Sequence, residues 1–141
     1  MKTLKTMMAL ALIAVCGFAG ASPKTNEGSA TKQSVVDTYL NAVVHGNMNG
    51  VGNAIDDNAQ FYIERGVRVQ TTDKRQVLDY LKTNANIDQN CDCSTTVLKE
   101  GDTFLVEKVE MKFDDVTRTD VITTQLSDDG WKITKVETSF K

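Results

Sequence analysis

The chain predicts a single α+β domain, and three observations carry that prediction. Apolar residues recur at helical spacing early in the chain, then alternate with period two through a long C-terminal stretch. Acidic and glycine-containing clusters cut that stretch at the intervals of hairpin turns. The length left after an N-terminal targeting segment is that of one ordinary domain. Helices first and an antiparallel meander afterwards is an α+β plan.

The first 21 residues read as a secretory signal peptide. Lys2 and Lys5 form a positive start, 7–18 is an apolar run, and Ala19-Gly20-Ala21 supplies the small residues of a cleavage site. The apolar run falls short of the roughly 20 residues of a permanent anchor, so no membrane attachment is expected after cleavage. Val15 before Cys16 argues against a lipoprotein site, which wants a small residue there. The product is therefore expected to be exported, periplasmic or secreted. Residues 22–30 are small and polar, hold the chain's one proline, and read as a flexible leader to a domain over 31–141.

The first helix is expected over about 32–45. Val35, Val36, Tyr39, Leu40 and Val43 make its apolar face, Ser34 and Asp37 suit a capping box, and Gly46 sits where a C-cap belongs. Met48, Val51 and Ile55 suggest a short second helix, weakened by Gly50 and Gly52 and ended by Asp56-Asp57-Asn58. Two short strands, 59–65 and 67–70, bend around Gly66. Thr71 or Thr72 then caps a third helix with Val77, Leu78 and Leu81 on its apolar face, fraying near Asn84. Four strands follow, 93–99, 103–113, 116–126 and 131–140, with turns at Glu100-Gly101-Asp102, Asp114-Asp115 and Asp128-Asp129-Gly130.

Composition narrows function by exclusion. Without Lys2 and Lys5 the chain keeps 14 basic and 19 acidic side chains, a net charge of −5. With no basic stripe, nucleic acid is not an expected partner. The chain has one histidine, His45, with no second histidine or neighbouring cysteine, so no metal site is expected. At a helix C-terminus the dipole favours the imidazolium, which suits a cap better than a base. The alternation Asn84, Asn86, Asp88, Asn90, Asp92 lacks the glycine and the twelfth-position acid of a calcium loop. Cys91 and Cys93 on a strand would share a face with alpha carbons about 6.5 Å apart, near the upper limit for a bridge. They read as two half-buried thiols, with a strained redox-active bridge as the alternative.

Several segments, in this order, carry a resemblance: Tyr39-Leu40-Asn41-Ala42-Val43-Val44-His45-Gly46-Asn47, Asp57-Asn58-Ala59-Gln60-Phe61, Thr72-Asp73-Lys74-Arg75-Gln76-Val77-Leu78-Asp79-Tyr80-Leu81 and Asp129-Gly130-Trp131-Lys132-Ile133. Together they resemble the nuclear transport factor 2-like superfamily, and most nearly its small exported bacterial members of SnoaL-like and lumazine-binding type. The resemblance implies a cone, a curved antiparallel sheet wrapped around three N-terminal helices, enclosing a pocket and often dimeric. It also implies a ligand site hosting isomerases, dehydratases, polyketide cyclases or no chemistry at all. The enzymes of that superfamily set an Asp or His base near the end of the first strand. Here that position falls near Ile63, flanked by Tyr62 and Glu64, while Tyr39 matches a helix-one tyrosine.

Hairpin geometry gives one constellation of its own. If Asp114-Asp115 is a two-residue turn, Met111 faces Arg118, Val109 faces Asp120 and Glu107 faces Ile122. The face holding Leu105, Glu107, Val109, Met111, Phe113, Arg118, Asp120, Ile122 and Leu126 is the more apolar and should be concave. Charges there imply either a salt bridge of Arg118 to Asp120 or Glu107, or a polar ligand. Glu107, Arg118 and Asp120 are thus the pocket residues this register gives, and the resemblance adds Tyr39 and Tyr62. A three-residue turn at Asp128-Asp129-Gly130 would pair Ser127 with Trp131, put Trp131 and Ile133 on the outer face, and offer a homodimer contact.

The expectation is an exported, non-catalytic domain that binds a small molecule or partner through the pocket, without cofactor. The alternative is a lyase or isomerase with Glu107 or Asp120 as base and Tyr39 or Tyr62 as hydrogen-bond donor.

Overall fold

The computed structural model describes residues 30–141. The expected signal peptide, its Cys16, and the leader up to residue 29 lie outside the described residues. The elements are α1 (Lys32–His45), α2 (Val51–Ala54), β1 (Ile55–Arg65), β2 (Arg68–Asp73), α3 (Lys74–Thr83), β3 (Asp92–Glu100), β4 (Phe104–Lys112), β5 (Thr117–Ser127) and β6 (Gly130–Phe140). One six-stranded sheet runs in the order β2-β1-β6-β5-β4-β3. All its pairings are antiparallel except β1 with β6, which is parallel, so the sheet is mixed. The helices cover one face of this curved sheet, giving a cone-shaped α+β fold.

Helix α1 is rich in β-branched residues, which favour helices poorly. Its buried face holds it instead: Val35, Val36, Tyr39, Ala42 and Val44 are in the core, and each fully buried valine contributes roughly 1.5–3 kcal/mol. Its N-cap is Thr31, whose hydroxyl accepts from the Ser34 N–H at 3.1 Å. Ser34 is therefore inside the helix, and the expected Ser34–Asp37 capping box is not formed. Gly46 ends the helix at φ +65°. A Cβ there would lie 2.5 Å from Asn84 O and Asn86 N, because the loop after α3 closes onto this turn. Asn86 N–H donates to Gly46 O at 2.9 Å and Gln89 N–H to Val44 O at 2.8 Å.

Helix α3 is capped one or two residues later than expected. Asp73, not Thr71 or Thr72, accepts from Gln76 N–H, while the Gln76 amide oxygen accepts from Asp73 N–H, a full capping box. The two threonines are in β2, which is longer than the sequence suggests.

The β4–β5 hairpin has the pairing that a two-residue turn dictates: Met111 with Arg118, Val109 with Asp120, Glu107 with Ile122. Phe113 N–H donates to Val116 O at 2.9 Å to close it. At β5–β6 the expectation is overturned. Ser127 pairs with Gly130 and Leu126 with Trp131, a two-residue turn rather than three, made feasible by Gly130 at φ +95°. One residue of register reverses every side chain, so Trp131 and Ile133 face the helices. Ile133 is fully buried in the core and Trp131 packs half-buried against it, with the Lys32 ammonium 5.8 Å from the indole centroid. They form no outer-face patch. A bulge at Thr134 then lets Val136, Thr138 and Phe140 take the concave face opposite Ile122, Asp120 and Arg118.

Candidate functional site

A cavity of about 340 Å³ opens between α3 and the β1, β2, β5 and β6 end of the sheet. Strand parity explains its wall. Phe61, Ile63 and Arg65 alternate along β1, and β2 sets Thr72 opposite Phe61 and Gln70 opposite Ile63. Val77, Tyr80 and Leu81 of α3 form the other side, Gln76 stands at the helix start, and Tyr39 and Val43 of α1 close the back. Arg118, Thr138 and Phe140 complete the lining from β5 and β6.

Its floor is a closed polar network. Arg118 Nε and Nη2 donate to Asp120 Oδ1 and Oδ2 at 2.9 and 2.8 Å, and Thr138 Oγ1 donates to Asp120 Oδ1 at 2.7 Å. Asp120 is wholly buried, and only 19% of the Arg118 side chain reaches solvent. A bidentate pair plus a hydroxyl meets the need of a desolvated carboxylate for partners. Burial opposes the charged guanidinium, but Asp120 and, after it, the neighbouring Tyr39 together outweigh that and raise the Arg118 pKa. Burial first, then the Asp120 charge, pushes the Tyr39 phenol well above its ordinary range, so Tyr39 stays a neutral donor beside the pair.

Of the residues expected in the pocket, the structure gathers Tyr39, Arg118 and Asp120, with Asp120 behind the lining rather than in it. Arg118 pairs with Asp120 and not with Glu107. Glu107 is buried on the same concave face, but under the first turn of α1, where Gln33 Nε2 is 3.5 Å from its carboxylate. Burial raises its pKa. Tyr62 alternates with Phe61 and Ile63 and so faces outward, its hydroxyl donating to Gln60. Sequence reasoning missed Thr72, Gln76 and Thr138. The parity signal for Thr138 was present: the three-residue-turn register already sets it opposite Asp120, and the structure keeps that pairing through the bulge at Thr134.

Elsewhere the polar clusters hold the loops. His45 Nδ1 lies 2.9 Å from Asp88 Oδ2, while Asn90 N–H and then His45 hold the Asp88 carboxyl below its ordinary range. Cys91 and Cys93 are free thiols with Sγ atoms 3.6 Å apart. No group of three or more His, Cys, Asp or Glu among the described residues is arranged to hold a metal ion.

The sequence matches no family model, and no curated protein is significantly similar to it. Solved structures are similar in fold. An NTF2-like protein of unknown function from Silicibacter pomeroyi has a TM-score of 0.64 at 14% identity, over 77% of this chain and 92% of that one. Another NTF2-like protein of unknown function, from Methylobacillus flagellatus, has a TM-score of 0.63 at 17% identity, over 84% and 94%. A Parabacteroides distasonis protein called a "putative ketosteroid isomerase" has a TM-score of 0.56 at 12% identity, over 79% and 89%. The chain therefore has the nuclear transport factor 2-like fold, and at these identities the likeness concerns the fold alone.

Proposed function

We propose that this chain is an exported, non-catalytic binding protein whose cone pocket takes a small organic molecule. One observation carries the reading: both oxygens of the carboxylate nearest the cavity are spent on Arg118 and Thr138. A general base needs a lone pair directed at the substrate, whereas Asp120 has three of its roughly four acceptor sites taken and lies behind the lining. Glu107 lies outside the cavity lining, and among the described residues no histidine, Asp or Glu lines it. What remains is an open-mouthed, largely apolar cleft with a few fixed polar groups, the usual form of a binding pocket. The signal-peptide pattern at 1–21 supports export, and exported material should begin at Ser22 by mass spectrometry.

Thermal-shift screening of the mature chain against aromatic and heterocyclic metabolites, fused pteridine-like rings of the lumazine type included, tests the reading. A bound ligand raises the melting temperature whether or not it is turned over. Binding without chemical change of the ligand is the expected result. Turnover abolished by Glu107→Gln or Asp120→Asn, with binding retained, would establish the lyase or isomerase alternative instead.

A further inference from the structure

We infer that the ligand is an organic anion, a carboxylate carried on an apolar ring system, seated with its oxygens toward Arg118 and Thr72. This rests on the pocket-binding reading above and names its chemical class.

The cavity has a surplus of hydrogen-bond donors. Arg118 uses Nε and Nη2 on Asp120, so of the five N–H groups of a guanidinium the Nη1 pair is left without an acidic partner. Thr72 Oγ1 is buried with no partner on a residue that lines the same cavity. An unpaired buried hydroxyl is costly, and a ligand atom there would relieve it. Gln76 spends its amide oxygen on the Asp73 N–H at 3.0 Å, which leaves its NH₂ group, a pure donor. A carboxylate is the complement of such a set, because it only accepts.

Charge points the same way. Among the described residues, Arg65 and Arg118 are the charged members of the lining and no acid lines it, although acids outnumber bases along the chain. The remaining wall, from Phe61 and Ile63 across to Val77 and Leu81, is apolar and fits a ring rather than a bare ion. The volume lies at the small end of the range for small-molecule sites.

The test is titration of the mature chain, by calorimetry and thermal shift, with 2-naphthoate, its neutral isostere 2-naphthamide, and inorganic phosphate. The acid is expected to bind about tenfold or more tighter than the amide, with affinity falling as salt rises. Thr72→Val should weaken the acid several-fold while leaving the ligand-free melting temperature equal or higher, which separates a lost ligand contact from a damaged fold. Arg65→Gln, an exposed rim change, should flatten the salt dependence. Naphthamide binding as tightly as naphthoate would overturn the anionic ligand and leave the pocket reading standing. Phosphate matching naphthoate would overturn the apolar body. If the acid, the amide and the wider metabolite set all fail to bind, the pocket reading fails with it.

Discussion

Arg118 and Asp120 stand two residues apart on β5 and lie side-on to one another, Nε and Nη2 each donating to a different carboxylate oxygen. Because Asp120 is wholly buried, removing either partner strands a charge in a dry site. Asp120→Ala should cost about 3–5 kcal/mol in urea unfolding, while Arg118→Met combined with Asp120→Leu should recover most of that loss. A single change costing under 1 kcal/mol would show that water reaches the pair.

Thr124 and Thr138 offer the same substitution with opposite signs. Thr124 is fully buried and its hydroxyl has no partner, so Thr124→Val should stabilise the protein by about 1 kcal/mol. Thr138 donates to a buried carboxylate at 2.7 Å, so Thr138→Val should cost about 1.5–3 kcal/mol. Melting curves of the two variants side by side decide it.

Glu107 makes stability fall as pH rises. Its folded pKa is raised, chiefly by burial, so the native state favours the protonated acid. The sign follows from linkage: its stabilising contribution is complete below the ordinary value of 4.5 and is lost as pH climbs through the raised folded pKa. Glu107→Gln, neutral throughout, should melt higher than the parent at pH 7, with the difference vanishing in acid. Parallel pH–melting profiles of the two proteins would refute this.

Cys91 and Cys93 should differ in reactivity. Burial, then the hydrogen bond with Cys93, pushes the Cys91 thiol up to about 11, which leaves roughly one part in a thousand as thiolate at pH 8. Iodoacetamide at pH 8 should therefore alkylate exposed Cys93 first and Cys91 far more slowly. The chain cut after Ala21, unfolded and free of reductant, should show two reactive thiols; none would mean a bridge.

Gly46 and Gly66 share a left-handed backbone, φ +65° and +61°, but not their surroundings. At Gly66 alanine meets open space and pays only the conformational cost of about 1–2 kcal/mol. At Gly46 the methyl would also collide with backbone atoms of Asn84 and Asn86. Gly46→Ala should be clearly the more destabilising of the two in chemical denaturation.

The sequence by itself determined the fold class, the element order and the pairing of β4 with β5, because helical and period-two patterns and an Asp-Asp turn are local signals. It also put Glu107, Arg118 and Asp120 on one concave face through that register. Tertiary structure decided that Glu107 sits under α1, whereas the closure of Arg118 on Asp120 rather than Glu107 follows from register, because Asp120 is the next side chain on its face and Glu107 stands opposite Ile122, four residues along β5. Tertiary structure also moved Trp131 and Ile133 into the core. Asp128-Asp129-Gly130 is chemically suited to a turn of two residues or of three, and the choice fell to the burial gained when Trp131 and Ile133 face the helices, with a bulge at Thr134 keeping Val136 and Thr138 on that face. The unpaired Thr72 hydroxyl was invisible for a similar reason: a threonine's lack of a partner belongs to everything packed around it, not to the strand that carries it.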